Sequence, residues 1–143
     1  IVRRLVGSEM CIRDRLNPAP ANKPTDVLLE HTSWFIPNEV EFEEIYGEVF
    51  NEDNLLLFAN DLKTNVVVTL GEKGCAYIKN NSVEIMNTDT VKAVDTTGAG
   101  DAFVGAFSFG VASKLEIEEC LKLALQKATD SVTKKGTQSS YKN

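Results

Sequence analysis

The stretch VDTTGAGDAFVG, Val94 to Gly105, places a carboxylate where a glycine turn opens into a helix. Gly98-Ala99-Gly100 lets the backbone take positive φ and approach another group closely. The small, apolar run from Ala102 to Phe107 suits a buried helix. A helix start of this kind points N–H groups outward and favours an anion. Asp101 puts its own negative charge there, in competition with a bound phosphate. From these residues alone two readings stay open: Asp101 caps the helix, or its carboxylate takes part in phosphate chemistry.

Other residues capable of chemistry are sparse. His31 is the single histidine and reads as a surface residue. Cys11, Cys75 and Cys120 are odd in number and far apart, so they form neither a disulfide framework nor a metal pattern. Asn38 with Glu41, taken alone, is a helix cap followed by a first-turn acid. The acids Glu39, Glu41, Glu43 and Glu44 read mainly as a solvated helix face. Trp34 and Phe107 read as core.

The 143 residues, 43% hydrophobic and 25% charged, fit one globular domain. A net charge of −6 argues against nucleic acid or an anionic membrane surface as partner. No run is long and apolar enough to span a bilayer. The cysteine usage fits a reducing, intracellular setting, and the cytoplasm is the expected location, with the nucleus also open.

Residues 1–15, IVRRLVGSEMCIRDR, stand apart. They contain Arg3, Arg4, Arg13 and Arg15, and no arginine follows. LVGSEMCIRDR resembles translated adapter sequence, and the stretch lacks the apolar centre of a signal peptide. It is expected to be a non-native leader, with the domain proper over 16–143. That part holds eleven lysines against nineteen acids, a net charge of −8.

The glycine turn needs a frame. Leu16 to Pro24 is extended and proline-punctuated. Thr25 or Asp26 caps a short helix through Val27, Leu28 and Leu29. Trp34-Phe35-Ile36 reads as a short buried strand stopped by Pro37. Asn38 caps a helix with Phe42, Ile45 and Tyr46 on one face, ended by Gly47. A second helix covers Asp53 to Leu62. Asn65 to Leu70 is the clearest strand, and its three successive valines fit burial on both faces. Gly71 and Gly74 bracket a tight loop. Cys75 to Ile78 and Val83 to Met86 flank a hairpin turn at Asn80-Asn81. Val91 to Val94 is expected to be a strand leading into the glycine turn, whose helix runs to about Ala112. Ser113 and Glu116 fit a capping box for a last helix with Cys120, Leu121, Ala124 and Leu125 on its apolar stripe. Alternating strands and helices give an α/β class with a mostly parallel sheet. Ligands in such folds sit at the carboxyl ends of strands, where Asn38, the loop after Thr69 and Gly98 to Asp101 could converge.

No G-x-x-x-x-G-K-[ST] is present, and Gly98-Ala99-Gly100 lacks the third glycine of a dinucleotide fingerprint. DTTGAGDAFVGAF instead resembles the C-terminal signature of the ribokinase, or PfkB-type, sugar kinase family. NPAP (17–20), PNEVE (37–41), TLGEKG (69–74) and GTQSSY (136–141) resemble further ribokinase motifs in the same order, the last in its animal-like form. The resemblance covers Leu16 to Tyr141. It implies a ribokinase-like three-layer core, of which this chain holds the C-terminal half without the N-terminal half and lid.

The resemblance also implies roles. Asp101 matches the general base that takes the proton of the sugar's primary hydroxyl, and it contacts both substrate and nucleotide. Gly98, Ala99 and Gly100 match the anion hole for the transferring phosphoryl group. Asn38 and Glu41 match an N-x-x-E motif that organises Mg²⁺ and phosphates, with Glu41 on the metal side. Thr69, Leu70, Gly71, Glu72, Lys73 and Gly74 match the loop around the ATP phosphates and ribose. Asp95, Thr97, Ser131, Lys134, Gly136 and Ser140 match a monovalent-cation site for K⁺. The implied activity is ATP-dependent phosphorylation of D-ribose to ribose 5-phosphate, this chain being an inactive fragment of a homodimeric parent. Another PfkB-type sugar or nucleoside kinase, or a non-catalytic nucleotide-binding module, is the alternative.

Overall fold

The computed structural model describes residues 14–18, 21, 24, 25, 28, 29 and 31–133. Five strands form one sheet in the order β1 (Asp14–Leu16), β2 (Thr32–Phe35), β3 (Asn65–Thr69), β4 (Cys75–Lys79) and β5 (Ser82–Met86). The pairs β1–β2 and β2–β3 are parallel, and β4 and β5 continue the sheet as an antiparallel meander. Helices α1 (Glu39–Tyr46) and α2 (Glu52–Leu62) form the crossover from β2 to β3. Helices α3 (Ala99–Ala112) and α4 (Ile117–Val132) follow the meander. Among the described residues no helix is long and apolar enough to cross a membrane.

The valine run of β3 explains the layering. Alternate residues of a strand point to opposite faces. Val66 and Val68 join one buried cluster with Phe35, Phe42, Leu55 and Phe58, under α1 and α2. Val67 joins the other with Cys75, Phe103, Phe107, Cys120 and Leu121, under α3 and α4. The sheet is thus the middle of three layers. Phe42 and Phe58 meet edge-on with centroids 5.0 Å apart on the first face, and Trp34 meets Phe107 at 5.2 Å on the second. Lys79 on β4 pairs with Glu118 on α4. That contact raises the lysine's pKa and lowers the glutamate's.

Local rules set most element ends. Asn38 caps α1 by accepting from the Glu41 N–H at 2.9 Å, while Glu41 Oε2 accepts from the Asn38 N–H at 2.9 Å. Gly47 ends the helix at φ 86°. Asn80 and Asn81, at φ 51° and 61°, turn the β4–β5 hairpin. Leu28 and Leu29 donate to the Thr25 carbonyl, and Thr25 supplies the capping hydroxyl; Asp26 and Val27 lie outside the described residues.

β1 takes in Asp14 and Arg15 from the arginine-bearing stretch, and Leu16 ends that strand. Two expectations need correction. Val91 to Val94 forms no strand: the N–H groups of Val94 and Asp95 donate to the Val132 carbonyl, at the end of α4, rather than to a strand neighbour. The capping box of α4 sits three residues later than Ser113. Glu116 is its N-cap and Glu119 its reciprocal partner. Ser113 instead closes α3, and Lys114 turns the chain at φ 60°.

Candidate active site

The carboxyl ends of β2 and β3 are stitched just beyond the strands. Asn38 forms an isolated parallel bridge with Thr69, and the Thr69 N–H donates to the Pro37 carbonyl at 2.9 Å. Asn17 follows β1 on the same edge. Opposite this edge stands the start of α3. Gly98 is its N-cap in the left-handed region at φ 81°, a conformation glycine takes without cost.

Asp101 is therefore the third residue of the helix, and the N-cap is glycine with no side-chain cap. The carboxylate is exposed and takes part in no hydrogen bond or ion pair among the described residues. The capping reading of Asp101 fails on this geometry, and its oxygens stay open to a ligand. Of the N–H groups at the turn, Ala99's donates to the Thr96 carbonyl at 3.3 Å. Those of Gly100 and Asp101 lie in the first turn, where a helix supplies no carbonyl partners. An anion placed there also meets the positive end of the helix dipole.

Two cavities flank this turn and share Thr69 and Gly100. The smaller, about 230 Å³, is lined by Asn38, Glu41, Thr69, Gly98, Gly100 and Asp101, together with Asn17, Ile36 and Val104. It unites residues from four separate parts of the sequence. The larger, about 440 Å³, lies on the other side of the turn. Thr69, Gly71, Glu72, Gly74, Ala99 and Gly100 form one wall, and Phe103, Leu125, Ala128 and Val132 make an apolar wall from α3 and α4. Its volume falls in the range of small-molecule sites. A polar cleft joined to a larger, partly apolar one across a helix N-terminus can hold a phosphate chain at the junction and a flat apolar group behind it.

Not every expected residue reaches these cavities. Leu70 is buried in the core beneath α1 and α2, and Lys73 is exposed outside both linings. The Asp95 carboxylate accepts from the Thr97 N–H at 2.9 Å. The bonds to Val132 bring Asp95 beside Ser131, whose buried hydroxyl donates to the Ala128 carbonyl at 2.7 Å. Lys134, Gly136 and Ser140 lie outside the described residues.

Sequence reasoning missed Thr88 and Thr129, whose hydroxyls meet at 2.8 Å on the wall of the larger cavity. They are 41 positions apart, and only the polar run Thr88-Asp89-Thr90 marks the spot. Asn17 was visible within NPAP but carried no assigned role.

The donor set fits magnesium of the kind that keeps its waters. Asn38 Oδ1 and Glu41 Oε2 are spent on the capping box, which leaves Glu41 Oε1 and the Asn38 amide N–H2 outside those bonds, on two residues that line the smaller cavity. Among the described residues no cluster of three or more His, Cys, Asp or Glu could hold a metal. One carboxylate beside phosphate oxygens is what Mg²⁺ takes when bound largely through water.

The sequence from 4 to 143 matches the family model described as pfkB family carbohydrate kinase. A deoxyribokinase of Salmonella typhi is 38% identical over 141 residues, which cover 94% of this chain and 46% of that protein. The crystal structure of a ribokinase from Thermotoga maritima superposes with a TM-score of 0.78 at 34% identity, covering 88% of this chain and 44% of that one. An Arabidopsis thaliana ribokinase complexed with ribose and ATP superposes with a TM-score of 0.74 at 30% identity, over 81% and 39% respectively. The chain spans less than half the length of each of these relatives. With residues 4–143 of the chain matching the family model and the ribokinase-like fold in place, this chain belongs to the pfkB family of carbohydrate kinases.

Proposed function

We propose that this chain is the C-terminal, nucleotide-binding part of a kinase that transfers the γ-phosphate of ATP to D-ribose, giving ribose 5-phosphate. One observation carries the proposal: Asp101, uncapped and unpartnered, shares a cavity with the α3 N-terminus, Asn38 and Glu41. Asp101 takes the proton of the sugar's primary hydroxyl as the oxygen attacks the γ-phosphorus and the bond to ADP breaks. The N–H groups of Gly98, Ala99 and Gly100 hold the charge on the transferring group, with the Ala99 donor releasing Thr96 to do so. Thr69 and the Gly71–Gly74 loop line the nucleotide side. Glu41 would hold Mg²⁺, which would supply charge neutralisation along the phosphates, and the Asn38 amide N–H2 would donate to a phosphate oxygen. Asp95, Thr97 and Ser131, with Lys134, Gly136 and Ser140, would form the K⁺ site.

Ribose is favoured by the NPAP and GTQSSY motifs and by the ribose-bound relative. The deoxyribokinase relative favours 2-deoxyribose as the competing acceptor. Family resemblance alone carries the homodimeric parent, cysteine usage the cytoplasmic or nuclear location, and the arginine break with the adapter-like string the reading of residues 1–15 as a non-native leader. The test is ADP release by the full-length kinase with ATP, Mg²⁺ and K⁺ against ribose, 2-deoxyribose, fructose and adenosine. A kcat/KM highest for ribose supports the proposal. A highest value for another acceptor reassigns the substrate, and no ATP-dependent product with any of them rejects kinase activity.

A further inference from the structure

We propose that Asn17 binds a ligand O–H group in the smaller cavity, contributed either by the acceptor sugar or by a water on the magnesium ion. The inference rests on the function proposed above. Asn17 follows β1 directly, and the next strand is tied to it there, since the Ile36 N–H donates to the Leu16 carbonyl at 2.9 Å. Three neighbouring parallel strands thus end in polar residues on one cavity: Asn17, Asn38 and Thr69.

These asparagines differ in how they are held. The Asn38 side chain is fixed by its bond from the Glu41 N–H. The Asn17 carboxamide makes no hydrogen bond among the described residues, and its Oδ1 is buried without a partner. Folded proteins seldom leave a buried amide oxygen unpaired, because it has lost water and gained nothing. The last torsion of asparagine is broad and roughly two-fold. The carboxamide can therefore turn its oxygen to the cavity it already lines without moving the backbone. A partner for that oxygen must be a donor, so an occupant's O–H group fits and a bare phosphate oxygen does not. A neutral amide also holds a hydroxyl without competing with Asp101 for its proton.

The test is Asn17→Leu in the full-length kinase, which removes both polar atoms while keeping the branched four-atom shape of the side chain. Because the leucine leaves no unpaired oxygen, Tm is expected to stay level or rise. kcat/KM is expected to fall about 10- to 100-fold, the loss for a hydrogen bond made to a ligand. A rise confined to the sugar KM identifies the sugar hydroxyl as donor. A rise in the Mg²⁺ concentration needed for half-maximal rate identifies the metal-bound water. Kinetics within twofold of wild type, or a loss of activity matched by a fall in Tm, overturns the proposal. A wild-type enzyme that phosphorylates no sugar overturns the functional reading and this proposal with it. An active wild type matched by Asn17→Leu overturns this proposal alone.

Discussion

Helix α3 carries Asp101, so the packing of α3 on α4 decides where the carboxylate stands. Gly110 of α3 packs directly on Cys120 of α4. A Cβ added there would lie 2.8 Å from Cys120 Sγ, 3.1 Å from its Cα and 3.2 Å from its Cβ. Cys120 is fully buried, and two of those atoms belong to the rigid part of the residue, so α4 itself must shift. Overpacking of this kind costs about 1–3 kcal/mol. Replacing a helical glycine by alanine returns about 0.8–1.0 kcal/mol. Gly110→Ala is therefore expected to lose about 1 kcal/mol net, by these opposing magnitudes. Gly105 supplies the control, since an added Cβ there meets nothing within 4 Å. Gly105→Ala is expected to gain nearly the full propensity term, about 0.8 kcal/mol. Urea unfolding of each variant, compared at constant m, reads the difference of roughly 2 kcal/mol. Equal midpoints for the two variants would refute the claim that Gly110 sets the α3–α4 distance.

Two further outcomes follow from the same framework. Gly74 sits at φ 102°, and its added Cβ would lie 2.0 Å from the Met86 carbonyl oxygen. Gly74→Ala is expected to cost at least about 2 kcal/mol and to weaken ATP binding, read by urea unfolding and nucleotide titration; unchanged values of both would contradict it. Cys75 is fully exposed only on unfolding, and burial pushes its thiol up to about 12. Between pH 9 and 12 the unfolded chain loses this proton and the folded chain keeps it, so stability falls as pH rises. The fall attributable to Cys75 approaches about 1.4 kcal/mol per pH unit. Cys75→Ala is expected to flatten the pH dependence of the urea midpoint by that amount, and an unchanged slope would contradict it.

What could be read from the sequence divides along the range of the interactions. Features fixed within a few residues were legible: the Asn38 cap, the Gly47 stop and the asparagine turn each depend on neighbours alone. The Val66-Val67-Val68 run was legible because only burial on both faces makes such a run useful. The clustering of Asn38, Glu41, Thr69 and Asp101 followed from placing each after a strand, although Gly98 follows a segment that forms none.

Features fixed by long-range contact were not legible. Both S-x-x-E at 113–116 and E-x-x-E at 116–119 satisfy a capping pattern. The register is chosen by the Leu115 N–H bonding to the Gly110 carbonyl and by the Gly110–Cys120 contact. Val91 to Val94 is apolar enough for a strand, but α4 supplies its hydrogen-bond acceptor. Leu70 lies within the expected nucleotide loop, yet its apolar side chain joins the core while its backbone N–H bonds the Gly74 carbonyl.

The central claim is that Asp101 is the base of a phosphoryl-transfer centre. It is tested most directly by Asp101→Asn in the full-length kinase, with turnover and ATP affinity measured on the same sample. The amide keeps the shape and removes the base, so kcat is expected to fall by at least about 10²- to 10⁴-fold, while the ATP Kd stays within a few-fold. Turnover that survives the substitution would contradict the assignment of Asp101.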